Sequence, residues 1–352
     1  MAQFLHTIYH WFEKNKRDLP WRRTNDPYKI WISEIILQQT QVKQGIEYYS
    51  RFISRFPDIF KLARSPEDEV LKMWQGLGYY SRARNLHHSA KIIVNNYNGQ
   101  FPSDYEKIIS LKGIGEYTAA AIASITFNLP YAAVDGNVSR FLARYFNYEI
   151  PVDTSEGKSG INKIANEILD KANPGMHNQA VMEFGALQCT SINPSCTECP
   201  VGGSCLAFHN DLVRELPLKT KRPKQKNRYF NYFLFESGNK ILMQKREGND
   251  IWKNLWQLPL IETESDTEIG ELLQWPSFSG FTGRDNIGLV KVEKRVIHIL
   301  SHQKIIARFI RINISEFKNL PSEIIPVNKK DIHKLAVPKL IENFLTESGI
   351  IN

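Results

Sequence analysis

All four cysteines of this 352-residue chain fall within seventeen residues, as Cys189, Cys196, Cys199 and Cys205 in the spacing C-x6-C-x2-C-x5-C. Four soft thiolates so close together suit tetrahedral zinc or an iron–sulfur cluster. No other cysteine occurs, so the grouping points to a metal site rather than to scattered buried thiols. Coordination chemistry alone does not separate zinc from iron. The opening stretch MAQFLHTIYHWFEKNKRDLPW has no uninterrupted apolar run and no small-residue cleavage site, so it does not read as a secretory signal. No stretch approaches a membrane span. A reducing cytoplasm is the expected compartment, where clustered cysteines bind metal more often than they form disulfides.

The chain divides by pattern. Residues 1 to about 217 read as helical, with apolar residues three and four apart in Phe4–Ile8–Trp11–Phe12, Ile30–Ile32–Ile35–Ile36, Ile46–Tyr49–Phe52–Ile53 and Val70–Met73–Trp74–Leu77. Asn25-Asp26-Pro27, Ser65-Pro66-Glu67 and Asn98-Gly99 read as turns or caps between them, Ser65 capping and Pro66 taking the first helical position. Residues 218–228 include KTKRPKQKNR, with six basic residues and no acid, which reads as a tether. From 229 to 352 the pattern becomes α+β. Period-2 runs occur at Tyr229–Phe235 and Lys240–Gln244 around a Gly238-Asn239 turn, and strand-like runs at Val296–Leu300 and Ile305–Ile312. The net charge of +8 is compatible with a polyanionic partner.

Three further segments carry chemistry. Leu111-Lys112-Gly113-Ile114-Gly115-Glu116-Tyr117 places two glycines around one apolar residue between helical segments, over about 104–127. That allows a tight turn and leaves the N–H groups of the next helix free for a phosphate. An ordinary αα-hairpin would show the same glycines. Some twenty residues on stands Val134-Asp135-Gly136-Asn137, where Asp135 could simply cap a helix. Glu34 lies among isoleucines on an otherwise apolar stripe. A carboxyl there is disfavoured as an anion and suited to general acid work, unless it faces solvent as most glutamates do.

In order, the hairpin, VDGNVSR and the cysteine loop resemble the endonuclease III-like helix–hairpin–helix glycosylases. In that superfamily the aspartate matching Asp135 is catalytic, and the cysteine loop holds a [4Fe-4S] cluster on Cys189, Cys196, Cys199 and Cys205. Tyr117 stands where lyase-type relatives carry a nucleophilic lysine, which implies a monofunctional glycosylase. The segment Trp31–Val42, with SEIILQQT, closely resembles the MutY family of adenine glycosylases, as do Trp21-Arg22, GLGYYSRARNL from Gly76 and NQAVME from Asn178. The resemblance implies Glu34 as the acid acting on N7 of adenine and Asp135 as stabiliser or captor of the oxocarbenium-like sugar, positioned with Tyr117 and Asn137. It further implies a base pocket of Trp21, Arg22, Leu37 and Gln179, and a mismatch wedge from Leu37-Gln38-Gln39-Thr40 with Leu77 and Tyr79. Gly113 and Gly115 would grip the DNA backbone.

The second half looks like the Nudix-like domain of that family, without the glutamate-rich box of a working pyrophosphatase. Leu300-Ser301-His302 matches the loop that reads oxidised guanine, with leucine in place of the usual aromatic and Ser301 and His302 left for hydrogen bonding. The expectation is a monomeric, multi-domain protein acting on duplex DNA, which removes adenine opposite 8-oxoguanine or guanine. A thymine-mismatch glycosylase, a non-catalytic cluster-bearing DNA-binding protein and a zinc-stabilised regulator stand as the alternatives.

Overall fold

The computed structural model describes residues 2–220, 225–282, 287–318 and 320–351. The middle of the basic tether, residues 221–224, lies outside the described residues. The chain packs as two compact units. One comprises Met1–Arg64 with Asn85–Lys221, and the other Ser65–Arg84 with Arg222–Asn352.

The first unit is helical: α1 (Ala2–Asn15), α2 (Pro27–Leu37), α3 (Val42–Arg55) and α4 (Ile59–Arg64). Helix α5 (Glu67–Met73) belongs to the other unit, and α6 (Ser81–Tyr97) has its first residues there. The first unit continues with α7 (Tyr105–Ile109), α8 (Glu116–Phe127), α9 (Gly136–Tyr145), α10 (Ser155–Ile168), α11 (Pro174–Leu187) and α12 (Leu206–His209). Local sequence sets several starts. Asp26 accepts from the Tyr28 N–H at 2.9 Å with Pro27 in the first turn, and Asp104 accepts from the Lys107 N–H at 3.1 Å. Pro66 does not take the first helical position expected of it: α5 begins at Glu67 with Pro66 in the capping position. Pro66 is extended (ψ 144°), so proline ends the entering strand of chain rather than opening the helix.

Helices α2 and α8 are buried nearly all round, through Tyr28–Ile36 and Thr118–Ser124 respectively. A helix enclosed on every side has no solvent face on which to put Glu34. Phe4, Ile8 and Phe12 of α1 pack with Phe141 and Leu142 of α9 and Phe184 of α11 to form one core. Among the described residues no helix is long and apolar enough to cross a membrane.

The second unit is built on β1 (Lys226–Ser237), β2 (Lys240–Lys245), β3 (Trp256–Gln257), β4 (Leu260–Thr263), β5 (Ile287–Ile299), β6 (Gln303–Ile314) and β7 (Ile324–Asn328). Among the described residues they form one mixed sheet in the order β3-β2-β1-β6-β5, with β4 paired to β1 and β7 to β2. Among the described residues only β1 and β6 run parallel. Helices α13 (Ile269–Leu272), α14 (Pro276–Thr282) and α15 (Lys339–Glu347) complete it. The alternation read in YFNYFLF does not mark a half-exposed strand, because Phe230 through Phe235 are buried on both faces. Tyr232 and Phe309 meet Phe344 of α15 on one side, whereas Phe233 and Phe235 meet Phe278 of α14 on the other. A strand covered twice shows no polar face.

Candidate active site

The residues that the sequence singled out in the first unit converge on a cavity of about 820 Å³. Its wall includes Trp21, Arg22, Glu34, Leu37, Gln38, Gln39, Thr40, Tyr117, Asp135, Asn137 and Gln179. They reach it from different elements. Trp21 and Arg22 lie in the 3₁₀ turn Pro20–Arg22, and the Trp21 ring meets Tyr49 edge-on at 5.3 Å. Glu34 and Leu37 come from α2, and Gln38–Thr40 form its exit, with Gln39 in the left-handed region (φ 59°). Gln38 Nε2 donates to the Thr118 hydroxyl at 3.2 Å, which ties this exit to α8.

Glu34 is 6% exposed and its Oε2 has no hydrogen-bond partner among the described residues. Burial pushes its carboxyl up, to about 7, and the nearby Asp135 carboxylate adds to this, while the Tyr117 hydroxyl and the Arg22 guanidinium pull the other way. A carboxyl that keeps its proton near neutral pH, with an oxygen unsatisfied at a cavity wall, is equipped to protonate a bound base. Tyr117 is held far from ionisation, chiefly by burial. Its hydroxyl donates to Met182 Sδ at 3.4 Å.

Asp135 does cap a helix, as its sequence context allowed, and it faces the cavity as well. Its Oδ1 accepts from the Asn137 and Val138 N–H groups at 2.9 and 2.7 Å, and its Oδ2 accepts from Asn137 Nδ2 at 2.8 Å. Burial raises its pKa, whereas these hydrogen bonds and Arg140 oppose the rise. Arg140 in turn donates to Asn137 Oδ1 at 3.0 Å, to the Gly185 carbonyl at 2.6 Å and to the Cys189 carbonyl at 2.9 Å. The start of α9 lies so close to α11 that a Cβ on Gly185 would stand 2.6 Å from the Asn137 carbonyl oxygen. Only glycine fits there.

The hairpin lies elsewhere in the same unit. Gly113 has φ 86°, and a Cβ there would stand 2.7 Å from Asn85 Cβ. Ile114 between the glycines is buried, and Gly115 caps α8 with open space where a Cβ would stand.

The four cysteines form no disulfide and line one small cavity, walled by Phe141, Phe184, Val201 and Phe208. Arg144, 3% exposed, places Nη1 3.5 Å from Cys189 Sγ and donates to the Thr190 and Leu216 carbonyls, which fixes the loop. Among the described residues no group of three or more His, Cys, Asp or Glu is closed around a metal ion. Four thiols lining one small cavity are a soft donor set of the kind that zinc and iron–sulfur clusters both take.

Leu77, Tyr79, Ser301 and His302 belong to the second unit, not to this cavity. The Tyr79 hydroxyl and Ser301 Oγ are hydrogen-bonded to each other. Tyr79 takes a left-handed backbone (φ 46°) between Gly78 (φ 72°) and Tyr80 and is half exposed. Arg82 holds this turn, donating to the Leu77 and Gly78 carbonyls at 3.3 Å and lying over the Trp74 and Tyr79 rings. Ser301 and His302 are at the β5–β6 turn, which closes through the Leu300 N–H to the Gln303 carbonyl at 2.8 Å, and both are exposed. Leu300 packs against the unit's core, so the leucine anchors the turn while its two polar neighbours stay in solvent.

Sequence reading assigned no role to Arg17, Met182 or Glu183, all of which line the cavity. Glu183 stands one helical turn after Gln179 on α11, and that spacing alone put it on the same face.

Comparison with known proteins agrees with this arrangement. Residues 32–170 match the family model described as HhH-GPD superfamily base excision DNA repair protein, and residues 231–347 match the NUDIX domain model. An adenine DNA glycosylase of Buchnera aphidicola subsp. Baizongia pistaciae is 39% identical over 77% of this chain and 76% of its own length. Another, from Buchnera aphidicola subsp. Acyrthosiphon pisum, is 34% identical over 97% of both chains. Among solved structures, a thermostable thymine-DNA glycosylase is 28% identical and matches with a TM-score of 0.55, covering 59% of this chain and 96% of that one. An endonuclease III–DNA complex, at 21% identity and a TM-score of 0.52 over 60% of this chain and 96% of the other, shares the fold. With a buried Glu34, a helix-capping Asp135 and a cysteine loop set on this helical frame and a NUDIX-type sheet after it, the chain belongs to the adenine DNA glycosylase family of the HhH-GPD superfamily.

Proposed function

We propose that this protein acts in single copy on duplex DNA and hydrolyses the N-glycosidic bond of adenine opposite 8-oxoguanine or guanine, leaving an abasic site. The observation that carries this reading is Glu34, buried at the cavity wall, its pKa raised by that burial and its Oε2 unsatisfied. The flipped adenine enters the cavity, and Glu34 gives its proton to N7, which weakens the bond to the sugar. As that bond breaks its electron pair leaves with the base, and the Asp135 carboxylate stabilises or captures the electron-poor sugar. Water then supplies hydroxide to the sugar carbon and a proton to the medium. Tyr117 offers no amine, so no Schiff base forms and the sugar–phosphate backbone stays intact. The second unit would read the opposite base through Ser301 and His302, and Leu77 and Tyr79 of that unit would help to wedge the duplex.

Cys189, Cys196, Cys199 and Cys205 would hold a [4Fe-4S] cluster, which stiffens the loop from Cys189 to Cys205 and takes no part in bond breaking. Stoichiometric iron and sulfide with broad visible absorption are expected of the purified protein; stoichiometric zinc in a colourless protein would contradict the cluster. The deciding experiment for the reaction is a single-turnover panel of duplexes with A opposite 8-oxoguanine, A opposite G, and T opposite G. Release of adenine, fastest from the first, is expected. Preferred release of thymine would replace this reading with the thymine-mismatch one, and duplex binding with no base release would leave a non-catalytic protein.

A further inference from the structure

Glu183 is 1% exposed, yet it is the most heavily engaged carboxylate of the cavity wall. Its Oε1 accepts from the Arg17 N–H at 2.8 Å, Arg17 Nε at 2.9 Å and Arg22 Nη1 at 2.9 Å. Its Oε2 accepts from Arg17 Nη2 at 2.5 Å and Arg22 Nη2 at 2.9 Å. Arg22 also donates to the Arg17 carbonyl at 3.0 Å and lies over the Phe12 ring. Charge-assisted bonds of this number and geometry keep a carboxylate ionised even when buried. Glu183 is accordingly held well down, to about 2, despite burial, by its bonds from Arg17 and Arg22.

Two guanidinium groups thus share one carboxylate on the wall of the cavity that Glu34 serves. The groups that face Glu34 from its neighbours are Arg22 of the 3₁₀ turn, Tyr117 of α8 and Asp135 at the head of α9. From α3 and its cap only Val42 and Gln41 reach the cavity. Arg22 is the one cation in that set, and it opposes proton retention by Glu34. Beside Glu183 itself stand Arg17 and Arg22, while Arg140 of α9 is engaged by Asn137 and the Gly185 and Cys189 carbonyls.

We propose that Glu183 is a positioning residue that both fixes and charge-balances Arg22, and through Arg22 keeps Glu34 in its acid form. The inference rests on the reading of Glu34 as the general acid. With the carboxylate in place, the Arg17–Arg22–Glu183 group carries one net positive charge. Neutralising it would leave two cations at the cavity wall, and Glu34 would release its proton at lower pH.

The test is the pH profile of single-turnover adenine release by the full-length protein. For the wild type the rate falls as pH rises through about 7. Glu183→Gln is expected to move that fall downward by about one pH unit, while Glu183→Asp, which keeps the charge, leaves it in place. Adding Arg17→Met to Glu183→Gln moves it back upward. A Glu183→Gln protein slower by one factor at every pH, with the fall unmoved, would make Glu183 merely structural and overturn the proposal. So would an equal displacement in Glu183→Asp, or no recovery in the double variant. If Glu183→Gln loses its helical circular dichroism, Arg17→Met alone decides: removing one cation moves the fall upward, and no movement overturns the proposal. A wild type that releases no adenine defeats the reading of Glu34 instead, and is distinguished by the same control.

Discussion

Asn137 holds both oxygens of Asp135, its backbone N–H at 2.9 Å from Oδ1 and its side-chain amide at 2.8 Å from Oδ2. The cap bond alone would leave Oδ2 free to turn with the side chain. The second bond fixes the plane of the carboxylate toward the cavity. Asn137→Ala is therefore expected to slow adenine release by roughly 10²-fold, the scale of losses from displacing a reacting group by about 1 Å. Duplex binding, measured by titration at fixed salt, should stay near wild type. A variant that releases adenine normally would show that the cap bonds suffice.

Glu34→Gln removes the proton donor and keeps the shape. Base release should fall by about 10²–10⁴-fold, and the decline in rate above pH 7 should vanish with it. Single-turnover profiles of the two proteins check both parts. A near-normal rate in the Glu34→Gln protein would end the acid assignment.

The same substitution has an opposite effect on stability. Because the folded carboxyl binds its proton more tightly than the unfolded one, Glu34 weakens the fold as pH rises from about 4.5 to about 7. Below that window it costs nothing. Glu34→Gln should thus raise Tm at pH 8, by an energy on the order of 3 kcal/mol at most, and leave it unchanged near pH 4. Thermal melts at the two pH values would show an equal shift if burial did not control this group.

Much of this site was legible in sequence, and the limits of legibility have physical causes. Glu34 and Asp135 stand out in short runs whose neighbours define their setting, isoleucines around the one and a helix start after the other, whereas Tyr117 and Asn137 are singled out by family resemblance. The pairing of Glu183 was not legible, since its partners Arg17 and Arg22 lie some 160 residues away and nothing local marks a carboxylate as paired. The strand at Tyr229–Phe235 was found, but its double burial was not, because α14 and α15 cover it from distant sequence. Pro66 looked like a first helical residue by type, yet its extended backbone puts it in the capping position instead.

Gly113→Ala should weaken duplex binding and stability together. At φ 86° the new Cβ would meet Asn85 at 2.7 Å, so the hairpin must open to admit it. A cost of about 1–3 kcal/mol is expected. Gly115→Ala, at φ −98° with nothing nearby, should be milder in thermal melts. Equal effects of the two would refute this account of the turn.

Ser301→Ala removes the partner of the Tyr79 hydroxyl. The ratio of adenine release opposite 8-oxoguanine to that opposite guanine should fall, with little change in Tm, because Ser301 is exposed. Comparing the two rates on otherwise identical duplexes measures it. An unchanged ratio would mean that this contact reads nothing.

The segment Ser65–Arg84 is bound into the sheet unit by its own side chains. Asp68 pairs with Lys245, Glu67 accepts from Asn254, Gln75 donates to Glu342, and Tyr80 donates to the Val337 carbonyl. The unit that would read the opposite base is thus assembled from two stretches of gene separated by most of the catalytic half. A break in the basic tether would not free it whole: the downstream fragment would lack its own Tyr79 turn. Recombination that exchanged only the downstream half would leave a foreign Tyr79 turn against the new sheet, so the two stretches are expected to be inherited as a pair.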